Sequence, residues 1–415
     1  MTHILVFDIP GGNDFTIIED ACTIGHDVTF VTSDLSHYHA QGEGAANTLA
    51  RCAHIVEIKP YTYEYLEKQL AALHELSPIH AVICLIDIRL IDAARIAQRF
   101  GLPFMSPDTA ILLRDKSRVR QKLRDSGVRQ PLFAIAHTLT EMERAIAEIG
   151  LPVVIKPVDG YGSQDITIVK SLEDFKAFTD QYKQNAAQPR DYGLGVTARH
   201  EFFIERYMQG HLIGCDVFSD GRERTLIGIN EKLMYPLPSF AIRGGHFPSH
   251  SFDQDIIKEY AFSILDHVGF HIGAAHIEMM VCDNLPYLVE INARLVSAQI
   301  PFQMAYALNR SLYIDLIDLH LGVPLSSFGP FAETQVCAIR WITADRKGHM
   351  KALHLPDEID PAIRRVTIFK RDGDEVQPPL SNGDRIAYVM AAAPTAKEAS
   401  DIAEHYIAMS SVEIL

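Results

Sequence analysis

The stretch Gly273–Arg294, Gly-Ala-Ala-His-Ile-Glu-Met-Met-Val-Cys-Asp-Asn-Leu-Pro-Tyr-Leu-Val-Glu-Ile-Asn-Ala-Arg, gathers side chains that could do chemistry together. It reads as two short strands joined by a tight loop. His276, Glu278 and Met280 share one face of the first strand, because side chains alternate with period two, and Leu288, Glu290 and Asn292 share one face of the second. Asp283 and Asn284 carry turn chemistry, and Pro286, which cannot donate to a ladder, belongs at or near the loop. A loop of three residues (283–285) or five (282–286) sets Glu278 opposite Glu290 and His276 opposite Asn292. Like charges facing each other across a sheet are destabilising, so two carboxylates in an otherwise apolar hairpin call for a cation. Two Glu and one Asn oxygen make a hard ligand set suited to Mg²⁺ or Mn²⁺, which fills its other positions with water and substrate phosphates. Arg294, on the same face as Asn292, adds a planar donor for phosphate or carboxylate. The blander alternative, a solvated face with scattered charges, requires His, Glu, Glu, Asn and Arg to share that face by accident.

A lysine inside the apolar run Pro152-Val153-Val154-Ile155-Lys156-Pro157 needs an anionic partner or an exit to solvent, and a phosphate fits better than an edge-strand exposure. Asp159-Gly160-Tyr161-Gly162-Ser163-Gln164-Asp165 follows at once, and its glycines let backbone N–H groups approach phosphates closely; alone, it is a hairpin tip. Arg114-Asp115-Lys116-Ser117 opens a helix reaching Ser126, stopped by Gly127, which in isolation is only a solvated helix start.

The elements that must position these groups alternate at first. Strands are expected at 4–7, 28–32, 54–58 and 81–86, with helices ending at Cys22 and over 63–76 and 91–100, a pattern that predicts a parallel sheet covered on both faces. Residues 34–50 read as a polar stretch with turns, and Gly11-Gly12 as a turn. No G-x-G-x-x-G follows the first strand, so no dinucleotide site is read there. Residues 185–199 read as a loop, 225–231 as a strand, 236–251 as a loop, and 253–268 as an amphipathic helix. Residues 302–321 are apolar at helical spacing. Strands are then expected at 336–343, 363–369 and 384–392, and a helix at 397–409, with Trp341 read as packing.

Length and composition narrow the function classes. The 415 residues have room for two or three packed units, and 47% hydrophobic with 22% charged residues is the balance of a globular protein. A net charge of -15 argues against a nucleic-acid partner, which needs a basic surface. The six cysteines are widely spaced, without a C-x-x-C pair, which argues against a disulfide framework or structural zinc and for a reducing cytoplasm. No apolar run suggests a membrane span, and the N-terminus lacks a basic region and cleavable apolar segment.

Glu-Ile-Asn-Ala-Arg after a Gly-x-x-His-x-Glu strand resembles the metal-binding end of the ATP-grasp superfamily, and His276 points to its L-amino-acid ligase branch. The resemblance covers nearly the whole chain and is strongest from Lys116 to Arg294. It implies a Rossmann-like N-terminal lobe over 1–112, an ATP-grasp domain over 113–326 (lid 113–206, metal and substrate part 207–326) and a small α+β C-terminal lobe over 327–415. It implies that Glu278, Glu290 and Asn292 hold two Mg²⁺ ions, with Mn²⁺ as a substitute, and that Arg294 stabilises an acyl phosphate. His276 would touch the developing oxyanion or orient a metal ligand, or else be a satisfied strand histidine. Lys116, Lys156 and the glycine loop with Gly162 and Ser163 would hold the ATP phosphates. Glu205 and the backbone of Arg206, Tyr207 and Met208 would hold adenine. Asp216 fits an acid common at the start of the next strand.

In Arg243-Gly244-Gly245-His246-Phe247-Pro248-Ser249, Gly-His-x-Pro-Ser resembles the substrate loop of those ligases, which implies Arg243, Gly244 and His246 near substrate, with Arg243 on a carboxylate. Two departures stand out. Leu212 replaces a ribose-binding Glu, and Leu295-Val296-Ser297-Ala298 replaces a Gly-rich turn, so Ser297 and its neighbours fill space beside the reacting carboxylate. The implied activity joins a small carboxylate or amino acid to an amino acid as an amide, releasing ADP and phosphate. Biosynthesis of a peptide antibiotic or other secondary metabolite, and a homodimer, are implied by the resemblance too. The alternatives are an ATP-dependent carboxylase, a nucleotide-precursor ligase, or a non-catalytic nucleotide-binding subunit.

Overall fold

The computed structural model describes residues 2–9, 15–158, 166–185 and 201–415. The Gly11-Gly12 turn, the glycine loop with Gly162 and Ser163, and nearly all of the 185–199 stretch lie outside the described residues. The fold is mixed α/β, with a parallel sheet first and antiparallel sheets after it.

Strands β1 (His3–Phe7), β2 (Asp27–Thr32), β3 (His54–Glu57) and β4 (Ala81–Ile83) pair in parallel in the order β3-β2-β1-β4. β1 is buried throughout, as a parallel strand covered on both faces must be. The 34–50 stretch contains two short helices, Leu35–His39 and Glu43–Leu49, rather than turns alone; Asp34 caps the first by accepting from the Ser36 and His37 N–H groups. The strand order reverses between β1 and β4, and the crevice beyond the carboxyl ends of such strands is where open α/β sheets bind ligands. Asp8 follows β1, and Asp87 follows β4. Arg89 Nε donates to Asp8 at 2.8 Å, both side chains buried, and its guanidinium lies 3.7 Å over the Tyr61 ring. This pair pins the one-turn helix Asp87–Arg89 and therefore fixes where Asp87 sits.

β5 (Phe133–Ala136), β6 (Val153–Pro157), β7 (Thr167–Val169) and β8 (Phe202–Arg206) form a second, antiparallel sheet in the order β5-β8-β6-β7. The rest of the chain supplies β9 (His211–Asp220), β10 (Arg224–Met234), β11 (Ile242–Phe247), β12 (Ile272–Cys282), β13 (Leu285–Asn292), β14 (Val336–Thr343), β15 (Gly348–His354), β16 (Ile363–Ile368), β17 (Glu375–Val376), β18 (Arg385–Ala393) and β19 (Ser411–Ile414). Eight of these make one sheet, β13-β12-β9-β10-β11-β14-β18-β16, and three a small one, β17-β15-β19. The α+β segment after 327 thus does not stand apart, because β14, β18 and β16 extend the sheet that begins with the β12–β13 hairpin.

Two local expectations give way to tertiary pairing. Residues 242–247, read as part of a loop, form β11, hydrogen-bonded to β10 on one side and β14 on the other. Glycine is what lets them fit: a Cβ on Gly244 would lie 2.4 Å from the Ile339 carbonyl, and one on Gly245 2.1 Å from that of Glu231. The apolar stretch 302–321 is two helices, Ile300–Leu308 and Leu312–His320, because Asn309 takes a left-handed conformation (φ 51°) and Ser311 caps the second helix.

His320 ties this second helix to the N-terminal lobe. Its Nδ1–H donates to the Pro103 carbonyl at 3.0 Å and its ring lies 5.0 Å from that of Phe104. Burial lowers its pKa from 6.5 to about 4, with the Pro103 bond opposing. The depressed value means that the unfolded chain takes up this proton first, so the contribution is complete above pH 6.5 and is lost as pH falls towards 4. The loss comes to about 3 kcal/mol, at 1.36 kcal/mol per unit. In urea unfolding at pH 7.5, 5.5 and 4, the stability gap between the wild type and His320→Gln should narrow steadily. A gap that is constant with pH would refute the assignment.

Candidate active site

The β12–β13 hairpin turns through only two residues, Asp283 and Asn284, at φ 49° and 61°, both left-handed as in a type I′ turn. An even loop alone would put Val289 opposite Glu278. A bulge between Glu278 and Met279 leaves Val289 over and shifts the register, so that Glu278 faces Glu290 and His276 faces Asn292. The loop is therefore shorter than the three or five residues expected, and the pairing of the acids comes from the bulge.

Each acid meets its own lysine. Lys116 Nζ lies 2.8 Å from Glu290, and Lys232 Nζ 2.5 Å from Glu278. Lys116 is the first residue of helix Lys116–Leu123, held there by Asp115, whose carboxylate accepts from the Ser117 and Arg118 N–H groups. Lys232 projects from β10 and also lies 3.0 Å from His276 Nε2. Burial would raise the Glu278 pKa, but Lys232 and His276 outweigh it and hold the carboxyl well below the usual range. Among the described residues no three His, Cys, Asp or Glu side chains are placed to hold a metal ion by themselves. The donors on this face are two carboxylates and the Asn292 amide oxygen, all hard oxygens that fit Mg²⁺ completed by phosphate and water.

A second charged knot lies beside the first. Lys156 Nζ donates to Glu205 at 2.5 Å, and Arg120 donates to the other Glu205 oxygen at 2.9 Å and to the Val289 carbonyl at 3.1 Å. The Phe203 ring lies 5.2 Å from Lys156 Nζ and 5.6 Å from the Arg120 guanidinium. Both Glu205 oxygens thus accept from cations, and Glu205 also lines an adjoining recess, together with Arg206, Tyr207 and Met208. The N–H groups of Arg206 and Tyr207 donate to the carbonyls of Leu132 and Pro152, and the Arg206 guanidinium bonds the Ile149 carbonyl. The recess beside the knot is largely apolar, with Val154, Tyr207, Met208, Leu212, Phe240 and Met280 among its lining residues. Glu205→Gln leaves two buried cations short of one charge. It should cost about 3 kcal/mol in denaturant unfolding, and a loss below 1 kcal/mol would show that the knot is not structural.

Arg294 reaches across to the N-terminal lobe. Its Nε and one Nη donate to the same Asp87 oxygen at 2.8 and 2.5 Å, that Nη lies 3.3 Å from the Asn292 amide oxygen, and the other Nη donates to the Leu295 carbonyl at 3.2 Å. Burial lowers the Arg294 pKa, but Asp87 more than restores it. Burial likewise raises that of Asp87, and the charges of Arg294, Arg114 and Lys116 bring it below its ordinary value.

These groups open on one cleft, which Lys116, Lys156, Lys232, His276, Glu278, Glu290, Asn292 and Arg294 all line. Gly244 and Ser297 line it too, as does Ala298, in a left-handed conformation (φ 60°) that favours glycine. Three expected residues are elsewhere. Asp216 is buried beneath His276, accepting from its Nδ1–H at 2.8 Å, and so orients the imidazole rather than facing nucleotide. His246 pairs with Glu231 on the strand face opposite Lys232, its Nε2 3.6 Å from that carboxylate, and burial lowers its pKa against the pull of Glu231. Arg243 falls at the β10–β11 bulge and pairs with Glu404 at 3.1 Å in a separate groove.

Sequence reasoning missed Lys232, Arg120 and Asp87. Lys232 follows Asn230-Glu231, where a lysine attracts no notice, unlike Lys156 in its apolar run. Arg120 had one available signal, its i+4 spacing from Lys116 on a helix in which Arg118 and Lys122 are cationic as well. Asp87 is 207 positions from Arg294 and gave none.

Comparison with known proteins gives a consistent picture. The family model described as an ATP-grasp N-terminal domain matches residues 18–104, the ATP-grasp domain model residues 149–301, and the L-amino acid ligase C-terminal domain 2 model residues 340–414. A Sinorhizobium fredii protein, "Uncharacterized protein y4rH", is 27% identical over 331 residues; the match takes in 75% of this chain but only 64% of that protein, so the chain spans under two thirds of it. The crystal structure of an L-amino acid ligase from Bacillus licheniformis superposes with a TM-score of 0.81 at 18% identity, over 100% of this chain and 99% of that one. A phosphoribosylglycinamide synthetase from Anaerococcus prevotii superposes with a TM-score of 0.72 at 16% identity, over the whole of both chains. With family models matching in this order along its length and the same fold throughout, the chain belongs to the ATP-grasp superfamily.

Proposed function

We propose that the protein is an ATP-dependent carboxylate–amine ligase that joins a carboxylate or amino acid to the amino group of an amino acid as a dipeptide-like amide, releasing ADP and phosphate. The observation that carries this reading is the meeting of Glu278, Glu290 and Asn292 with Lys116, Lys156 and Arg294 in one cleft beside a largely apolar recess. A module that only bound a nucleotide would have no need of all these groups. The match of residues 340–414 to the C-terminal domain of L-amino acid ligases favours this branch over a carboxylase.

In the reaction, a carboxylate oxygen of the first substrate attacks the γ-phosphorus of ATP, the bond to the β–γ bridging oxygen breaks, and ADP leaves. The nitrogen of the second substrate then attacks the acyl carbon, the bond to the phosphate oxygen breaks, and the amine proton passes to solvent. Mg²⁺ held by Glu278, Glu290 and Asn292 would draw charge from the phosphate oxygens. Catalysis of phosphoryl transfer is chiefly positioning and charge stabilisation, and here Lys116 and Lys156 supply it on the nucleotide and Arg294 on the transferring group. His276, oriented by Asp216, turns Nε2 towards Lys232 and Glu278 and so positions those groups. The purine would rest in the recess, with hydrogen bonding left to the backbone around Met208.

Phosphate release from ATP and Mg²⁺ in a grid of paired amino acids and small carboxylates, with mass spectrometry of each positive well, tests the reading. Release that needs two partners, with a new mass equal to their sum minus water, is expected. Release with bicarbonate and one partner would replace this reading by a carboxylase, and ATP binding without release in any well would replace it by a nucleotide-binding subunit.

A further inference from the structure

The cleft does not end at the metal-facing hairpin. It runs across β10, β11 and β14 to the start of β18, where Arg385 and Trp341 line its far end. Arg385 is bound by its surroundings on one side only. One Nη donates to the Ile242 carbonyl at 3.2 Å and to the Asn382 amide oxygen at 2.8 Å, and the guanidinium lies 3.7 Å over the Trp341 ring. Its Nε is shielded from solvent and has no acceptor among the described residues. None of their carboxylates pairs with it either, whereas Arg89, Arg120, Arg294 and Arg340 each have one. Burial lowers its pKa to about 9, with Tyr235 opposing, which is the mark of a guanidinium that no carboxylate compensates. A desolvated, planar donor with an edge to spare is suited to a carboxylate.

Its place in the cleft says which carboxylate. The bond to Ile242 brings the guanidinium back over β11, the strand beside Lys232 on β10. β11 is three strand spacings from β12, which carries Glu278, so at about 4.8 Å per strand the two backbones stand about 14 Å apart. Lys232, on the intervening β10, reaches Glu278 at 2.5 Å, so side chains bridge much of that gap. The gap leaves room for a phosphoryl group and the acyl carbon beside the metal-facing side chains and, beyond them, for one extended residue of about 3.5 Å whose carboxyl end meets the guanidinium. The carboxylate that attacks ATP must be at Arg294 and the metal ligands, which leaves the far end to the other substrate.

We propose that Arg385, supported by Trp341 and Asn382, is the subsite for the α-carboxylate of the amine substrate, so that the acceptor is a free amino acid rather than an amine or an amino-acid amide. The substrate class rests on the ligase reading; the anion subsite itself does not. Trp341 is the only tryptophan in the chain and carries the guanidinium on its ring, so it reports occupancy directly. The experiment titrates Trp fluorescence of the wild type, Arg385→Gln and Arg385→Lys with the proteinogenic L-amino acids, each as free acid and as carboxamide, in the presence of Mg²⁺ and a non-hydrolysable ATP analogue. Product formation is measured on the same panel.

A saturable response to one or more free acids that is at least tenfold weaker for the matching amide, absent in Arg385→Gln and partly kept in Arg385→Lys, is the expected result. Nucleotide affinity should remain within about threefold in both variants. In turnover, Arg385→Gln should raise KM for the amino-acid acceptor at least tenfold and abolish the preference for acid over amide. Equal responses to acid and amide, no response to any acid, or a response kept in Arg385→Gln would overturn the proposal. Selective binding without any ligated product would instead uphold the subsite and overturn the ligase reading.

Discussion

Glu290→Ala should lower turnover by at least about 1000-fold while the protein remains folded. The carboxylate faces Glu278 across the hairpin and pairs with Lys116 at 2.8 Å. On the proposed reading, removing it takes away one of two charged ligands for a cation whose charge stabilisation is worth on the order of several kcal/mol, and each 1.36 kcal/mol is a factor of ten. It also removes the carboxylate that holds Lys116 in the cleft. The side chain is 28% exposed, so the fold loses little by its removal. The measurements are ADP formation under saturating ATP and Mg²⁺, Mg²⁺ dependence, and thermal unfolding. Full activity would dismiss the metal assignment, and a collapse of Tm would show that the acid pair holds the hairpin together instead.

Arg294→Lys should lower kcat about 100-fold and leave ATP affinity within about threefold, since the loss of one preorganised donor at a developing charge costs about that much. Arginine bridges two lobes here. Nε and one Nη close on a single Asp87 oxygen while the same head group reaches Asn292. Lysine keeps the charge but has no planar fork with which to hold Asp87 and still present donors to a transferring group. Asp87→Asn should act in the same direction by about 10-fold, as changes to the groups that orient a site usually do. The readouts are kcat by coupled ADP assay and ATP binding by calorimetry. An unchanged kcat in Arg294→Lys would remove the residue from the mechanism, and parallel losses of kcat and ATP affinity would make it a ground-state nucleotide contact.

What the sequence determined by itself is local. His276, Glu278, Glu290 and Asn292 share a face because strands alternate with period two, and Lys156 stood out because a cation in an apolar run needs an anion. The alternation of strands and helices up to residue 100 sufficed for a parallel sheet. The β11 segment shows where such reading stops. Ile242–Phe247 has glycines in place of strand formers, and it is a strand only because β10 and β14 bond it on both sides. That pairing sends His246 to the face opposite Lys232 and leaves Arg243 on a bulge, so two residues that the motif put at the substrate are not in the cleft.

Tertiary structure also decided every partner. Glu205 is bound to Lys156 and Arg120, Asp216 to His276, Lys232 to Glu278, and Arg294 to Asp87 from 207 positions away. Even the alignment of the two acids depended on one extra residue, Val289, which no count of loop residues reveals. The physical reason is common to all of these. Backbone periodicity is set within a few residues, so it can be read from the chain, whereas the pairing of buried charges is set by which surfaces the fold desolvates together, and sequence spacing holds no record of that.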